Sequence, residues 1–258
     1  MSTTVTLQQT GGIARVQFHS ENGIQLLGAA VRAELKRVIT SLEHDPGCRV
    51  VIFEATGRTF LAGADINELA SLTAETARKF ARSGQRLFKR IADLPAVTIA
   101  AIHGACAGGG CELSLACDYR IAGEAARIGL PEVTLGLIPG WGGSARTQVM
   151  LGPAIARRIV LSGELFTAAE ACRLGLVHEC VPDDQLRTVI DARAAQILKT
   201  GPAAIDIVKQ MLDAGQSELL DDLLRLEARA FAACYETGEP EEGVGAFLAK
   251  RAAQWRTA

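Results

Sequence analysis

The chain has 258 residues, 48% of them apolar, 22% charged and only eight proline, a composition that can bury a substantial core and excludes disorder. Its formal charge of −2 leaves no basic footprint for nucleic acid. No apolar run approaches the roughly 20 residues of a bilayer-spanning helix, and Met1-Ser2-Thr3-Thr4 lacks the charged, apolar, then small pattern of a secretory signal. A soluble, cytoplasmic protein is expected, with neither nucleic acid nor a membrane as partner.

In chain order, residues 5–8 and 13–18 read as a β-hairpin around Gly11-Gly12. The spacing of Val31, Leu35, Val38, Ile39 and Leu42 predicts a helix over 26–42. Asp45-Pro46-Gly47 turns the chain into a buried strand at 50–54. Gly57 and Gly63 frame a loop before Asp65, an expected N-cap. A long helix follows over 74–94, and Pro95 stops it. The run 96–102 predicts a strand that turns through glycines, Gly108-Gly109-Gly110 among them, into a helix, with a further strand at 118–122. Residues 136–143 form a glycine loop feeding a helix from Arg146. Beyond Gly152-Pro153 the chain reads as almost wholly helical, with helices at 168–174, 184–199, 202–214 and 217–235. Early strands, β–α–β alternation and late helices define an α/β class. The simplest division is a catalytic core, 1–195, and a C-terminal helical subdomain, 196–258.

Seven cysteines (48, 106, 111, 117, 172, 180 and 234) with no C-x-x-C suggest neither a disulfide framework nor a zinc knuckle, and reduced core thiols are expected. Four scattered histidines without H-E-x-x-H suggest no metal site. The glycine trio lacks the Gly-Lys-Ser/Thr ending of a phosphate loop, and no G-x-G-x-x-G follows a strand. Gly142-Gly143-Ser144-Ala145-Arg146 fails the nucleophile elbow at its last position, which removes the main support for a serine hydrolase.

A strand that turns through glycines into a helix leaves backbone N–H groups unpaired, and such groups suit an oxygen that gains negative charge. Glu112 falls at once inside that helix. Its mundane role is to complement the helix dipole, worth ~0.3–1 kcal/mol. Its neighbours are small or apolar, however, and a buried glutamate needs a partner or a raised pKa. Glu132, after Pro131, reads by itself as a solvated turn residue. Paired in space with Glu112 it could hold a water and pass a proton each way. The loop from Thr59 to Ile66 is either a tight turn capped by Asp65 or the source of a second N–H donor. Trp141, exposed in its glycine loop, either lines a pocket or packs.

These segments together resemble the enoyl-CoA hydratase (crotonase) family. Phe-Leu-Ala-Gly-Ala-Asp-Ile at 60–66, His-Gly-Ala-Cys-Ala-Gly-Gly-Gly-Cys-Glu-Leu at 103–113 and Gly-Leu-Pro-Glu-Val-Thr-Leu-Gly-Leu-Ile-Pro-Gly-Trp-Gly-Gly at 129–143 look like its three core motifs, in order. Thr167-Ala168-Ala169-Glu170-Ala171, Gly175-Leu176-Val177 and the run from Glu242 to Arg251 extend the likeness over nearly the whole chain. The middle motifs look especially like the hydratase half of multifunctional β-oxidation enzymes, and no dehydrogenase half follows.

The resemblance implies a spiral of ββα units whose helical C-terminal part drives a homotrimer, or a hexamer built as a dimer of trimers. It implies an acyl-CoA substrate, with coenzyme A arriving as part of it, and no metal or redox cofactor. The N–H groups of Ala64 and Gly109 would form the oxyanion hole, and Glu112 and Glu132 would position and activate water. Ala62 and Ile66 would lie near the CoA adenine and Arg58 near a CoA phosphate. Phe247 and Lys250 would reach CoA from a neighbouring subunit. Ser20-Glu21-Asn22-Gly23-Ile24-Gln25 departs from the Pro, then Asn-Ala-Leu, that the family often carries there. Retention of both glutamates favours hydration of a 2-enoyl-CoA. A Δ3,Δ2-enoyl-CoA isomerase and a specialised hydroxyacyl-CoA dehydratase remain open alternatives. A non-catalytic scaffold or an RNA-binding module would predict a lost carboxylate or a basic face, and neither appears.

Overall fold

The computed structural model describes residues 3–214 and 217–255, so Met1 and Ser2 of the opening tetrapeptide and the last three residues of the expected C-terminal subdomain lie outside the described residues. A hairpin of β1 (Thr4–Thr10) and β2 (Ile13–His19) leads through α1 (Ala29–Glu43) into β3 (Val50–Ala55). β4 (Thr59–Leu61) then passes to a second sheet, followed by α2 (Ile66–Ala70) and α3 (Ala74–Ala92). The pattern repeats as β5 (Val97–Ile102), β6 (Ala105–Ala107) and α4 (Gly109–Leu115). It repeats again as β7 (Tyr119–Gly123), β8 (Arg127–Gly129), a 3-10 turn (Glu132–Leu135) and α5 (Gly143–Ser162). Then come β9 (Leu165–Thr167), α6 (Ala168–Arg173), β10 (Glu179–Val181), α7 (Leu186–Leu198), α8 (Pro202–Ala214), α9 (Ser217–Thr237) and α10 (Glu239–Leu248). The sheets run β1-β2-β3-β5-β7-β10 and β4-β6-β8-β9. Each ββα unit thus places one strand in each sheet before its helix, the expected crotonase-type spiral with a helical C-terminal region.

Burial explains the layering. All six residues of β5 are buried, as a parallel strand covered on both faces requires. Val50, Ile52, Ile99 and Ile121 face Ile190, Ala194 and Ile197 of α7. The alternate residues Val51, Phe53, Ala100 and Ala122 belong to the larger core with Leu35, Ile39, Phe88 and Ile91 of α1 and α3. In β2 only Ala14, Val16 and Phe18 turn inward.

The structure departs from the expected elements where tertiary contacts override local pattern. α1 starts at Ala29 rather than residue 26, because the stretch before it is drawn alongside β4. Ala62 N–H donates to Gln25 O (2.8 Å) and Leu27 N–H to Gly63 O (2.9 Å). The loop between Gly57 and Gly63 contains β4, and the glycine turn after β5 contains β6; their pairing, 59↔105 and 61↔106, builds the second sheet. α5 begins at Gly143, three residues early, and it runs across Gly152 (φ 79°, ψ 162°) and Pro153 as a kinked helix. β8, β9 and β10 are too short, at three residues each, to show a period of their own. All seven cysteines are free thiols, and Cys48, Cys106, Cys111 and Cys117 are buried.

Candidate active site

The second sheet ends where α4 begins, and three glycines make that junction for three different reasons. Gly108 sits at φ 51°, in the left-handed region that favours glycine. A Cβ on Gly109 would lie 2.7 Å from Trp141 Cζ3, and one on Gly110 would lie 2.1 Å from the carbonyl oxygen of Leu61. α4 therefore packs its first turn directly against the end of β4. Gly63 (φ 108°) turns the chain there, with its own Cβ position 3.9 Å from the Gly109 nitrogen. The next residue is Ala64. Neither Ala64 N–H nor Gly109 N–H donates to a protein acceptor among the described residues, and both residues line one cavity of about 440 Å³.

Glu112 and Glu132 line the same cavity. Glu112 is 2% exposed; its Oε1 accepts the N–H groups of Trp141 (2.7 Å) and Gly143 (2.9 Å). Burial pushes its carboxyl well above the usual carboxylate range, the charges of Glu132 and Glu227 add to that, and the two N–H donors pull it back toward ionisation. Glu132 lies over Gly108, whose Cβ position is 3.2 Å from Glu132 Oε1. Its Oε2 is buried without a hydrogen-bond partner. Burial pushes its pKa to about 8, opposed by its own backbone N–H. This is not the solvated turn residue that Pro131-Glu132 suggests by itself. Two carboxyls thus share one cavity: Glu112 Oε1 is held by two backbone N–H donors of the glycine loop, whereas Glu132 Oε2 meets no protein donor.

The apolar walls come from Leu26, Leu69, Phe80, Leu137, Trp141 and Phe231, among others. Trp141 is 2% exposed, not exposed as its glycine loop suggests. Its ring lies tilted by 38° against Phe80 at 4.9 Å and meets Phe88 edge-on at 5.8 Å, with the Arg32 guanidinium 5.1 Å from its centroid. Arg32 is held there by a two-pronged pair with Glu68, at 2.9 and 2.6 Å. Asp65 caps α2 by accepting the Asn67 N–H. Ala62, Ile66 and Phe247 line the cavity as well, whereas Arg58 and Lys250 lie outside its lining. Arg58 is exposed and donates to Asn22 O (3.2 Å). Lys250 is exposed at φ 52°. Among the described residues no group of three or more His, Cys, Asp or Glu side chains could hold a metal ion.

Sequence reasoning missed Glu227. It is 4% exposed on α9, accepts from Gly142 N–H (2.7 Å), Ala145 N–H (3.0 Å) and Gln85 Nε2 (3.0 Å), and does not line the cavity. A signal was available. Leu224, Glu227, Ala228 and Phe231 share one helical face, so the acid stands in an apolar stripe.

The chain is similar to known proteins over nearly its whole length. The family model for enoyl-CoA hydratase/isomerase matches residues 8–258. Crotonyl-CoA hydratase of Syntrophomonas wolfei is 34% identical over 252 residues, 97% of each chain. Short-chain-enoyl-CoA hydratase of Clostridium acetobutylicum is 34% identical over 96% of this chain and 95% of its own. The crystal structure of an enoyl-CoA hydratase from Mycobacterium avium subsp. paratuberculosis superposes with a TM-score of 0.88 at 27% identity, covering 98% of both chains. The chain belongs to the enoyl-CoA hydratase/isomerase family.

Proposed function

We infer that the protein is an enoyl-CoA hydratase, adding water reversibly across the 2,3 double bond of a 2-enoyl-CoA to give a 3-hydroxyacyl-CoA. The observation that carries the reading is one cavity lined by two carboxyls, Glu112 and Glu132, and by two residues with unengaged N–H groups, Ala64 and Gly109. The two N–H groups receive the thioester oxygen and stabilise the enolate that forms when water attacks; a donor of this kind is worth ~2.7–4 kcal/mol. Glu112, whose Oε1 is already held by two donors, acts as the carboxylate. The water oxygen bonds to C3 as its proton passes to Glu112, the electron pair of the double bond moves toward the thioester, and Glu132 gives its proton to C2. One water is added, and the pair's proton ends on Glu112 instead of Glu132.

For the rest of the ligand, Ala62 and Ile66 meet the adenine end of CoA, and Arg58, exposed just before β4, meets a phosphate. Phe247 lines the cavity of its own subunit, and Lys250 serves the site of a neighbouring subunit in a homotrimer or a dimer of trimers. Support for that assembly is the exposed apolar run Ile207, Met211, Leu212, Leu219 and Leu226 along α8 and α9, with Phe247 59% exposed. The chemistry needs no cofactor beyond the CoA of the substrate. No helix among the described residues is long and apolar enough to cross a membrane.

The test is to give the wild type and the variants Glu112→Gln and Glu132→Gln both crotonyl-CoA and a 3-enoyl-CoA. Hydration that either substitution abolishes supports the reading. Conversion of the 3-enoyl-CoA alone, surviving one of the two substitutions, would make the protein an isomerase with a single proton shuttle instead.

A further inference from the structure

Two carboxylates hold four backbone N–H groups of the turn that enters α5. Trp141 N–H and Gly143 N–H donate to Glu112 Oε1. Gly142 N–H and Ala145 N–H, interleaved with them, donate to Glu227 Oε1 and Oε2. Five residues of backbone are thus clasped from two sides by two buried carboxylates, one from α4 and one from α9. Nothing larger than hydrogen fits at the centre of the clasp: a Cβ on Gly143 would lie 3.0 Å from Glu112 Cγ and Oε1, and one on Gly142 would lie 1.9 Å from Arg146 Nη1.

Glu227 is itself fixed. Gln85 of α3 donates to its Oε1, and the same amide nitrogen reaches Leu224 O (2.9 Å) and Gly140 O (3.2 Å), so one side chain ties α3, α9 and the glycine loop together. From α5 the buried Arg146 supplies positive charge to both carboxylates, and its Nη1 donates to Trp141 O (3.3 Å). The remaining charged groups facing Glu227 are the cavity carboxyls Glu112 and Glu132. Glu227 does not line the cavity; its bonds run to the turn behind it.

We propose that Glu227 is a positioning residue for the reaction: by holding Gly142 and Ala145 it fixes the turn whose neighbouring N–H groups aim Glu112 into the cavity. Burial lifts the Glu227 carboxyl to about 7 against the pull of its hydrogen-bond donors and Arg146, and the charge it carries above that pH raises the proton affinity of the Glu112–Glu132 pair. Remote anchoring of this kind matters because a misplacement of about 1 Å at a reacting group can cost about a hundredfold in rate.

The test uses the full-length protein and crotonyl-CoA, with the variants Glu227→Gln and Glu227→Asp, each checked by thermal melting. In Glu227→Gln one arm of the clasp becomes an N–H₂ donor facing an N–H, and the negative charge is lost. We expect kcat to fall about tenfold or more with KM nearly unchanged, and the acidic limb of the kcat profile to move to lower pH. Glu227→Asp keeps the charge but draws it back by one methylene, so kcat falls while the pH limb stays near its wild-type position. Should Glu227→Gln fail to fold, the Asp variant carries the test. Folded variants with wild-type kcat and pH profile, or with a raised KM and unchanged kcat, would overturn the proposal. The proposal rests on the hydratase reading, and the two fail separately. A wild type inactive on 2-enoyl-CoA thioesters would sink the hydratase reading, whereas an active wild type with kinetically silent Glu227 variants would sink the positioning role alone.

Discussion

Replacing Glu132 by Gln should cost activity at every pH and raise stability only toward neutral pH. The carboxyl has an Oε2 that is buried with no partner, and its pKa rises from 4.5 to about 8 on folding. Between those values the folded protein binds a proton that the unfolded chain does not, so stability falls as pH rises through the window. Below about pH 4.5 there is no penalty. Each pH unit inside the window costs about 1.4 kcal/mol, so the wild type loses on the order of 3 kcal/mol from this group between pH 5 and pH 7. The Gln variant carries no such loss. Its amide is buried without an assured partner, a constant cost of about 1–3 kcal/mol. The stability difference between variant and wild type should therefore swing by about 3 kcal/mol in the variant's favour from pH 5 to pH 7. Loss of a positioned acid lowers kcat by about 10²–10⁴. Urea denaturation at the two pH values and hydration of crotonyl-CoA provide the assays. A stability difference independent of pH would refute the argument that Glu132 is folded as a neutral acid, and an unchanged kcat would refute its role.

Three further outcomes follow from the geometry. Gly110→Ala puts a Cβ 2.1 Å from the backbone oxygen of Leu61, which cannot rotate away; α4 must shift from β4, with a loss of about 1–3 kcal/mol and a fall in kcat, both read from melting and steady-state rates. Glu112→Gln should lower kcat by about 10² or more while KM for crotonyl-CoA changes little, and a change confined to KM would contradict its assignment as the base. His178 is folded with its pKa pushed down to about 4, first by burial and then by Arg120. Its neutral form is favoured in the fold, so stability is intact above about pH 6.5 and declines as pH falls toward 4; melting curves of wild type and His178→Gln over that range should converge at low pH.

The sequence reading reached the site more readily than the sheets that carry it. Glu112 is legible as an acid just inside a helix that follows a glycine turn, whereas Ala64, Gly109 and the partnership of Glu132 with Glu112 come only from the likeness of their motifs to the family's. The second sheet was not legible. Thr59–Leu61, Ala105–Ala107 and Arg127–Gly129 are strands of three residues, too short for a period-two pattern to register, and they exist only because they pair with one another. Trp141 lies between glycines, which suggests exposure, yet Gly84 and Gly109 leave the space its ring fills. Glu227 is 115 residues from Glu112, and only the packing of α9 on α3 and α5 brings them to one turn.

In the proposed reaction Glu112 and Glu132 together deliver one water to a bound 2-enoyl thioester. The measurement that tests it most directly is reaction of the purified protein with crotonyl-CoA in deuterated water, following loss of the conjugated thioester absorbance and the position of label in the product. Rapid loss, 3-hydroxybutyryl-CoA with one deuterium at C2, and turnover cut by about 10² or more after either Glu112→Gln or Glu132→Gln are the expected results. Persistence of the absorbance, or full activity in either variant, would contradict it.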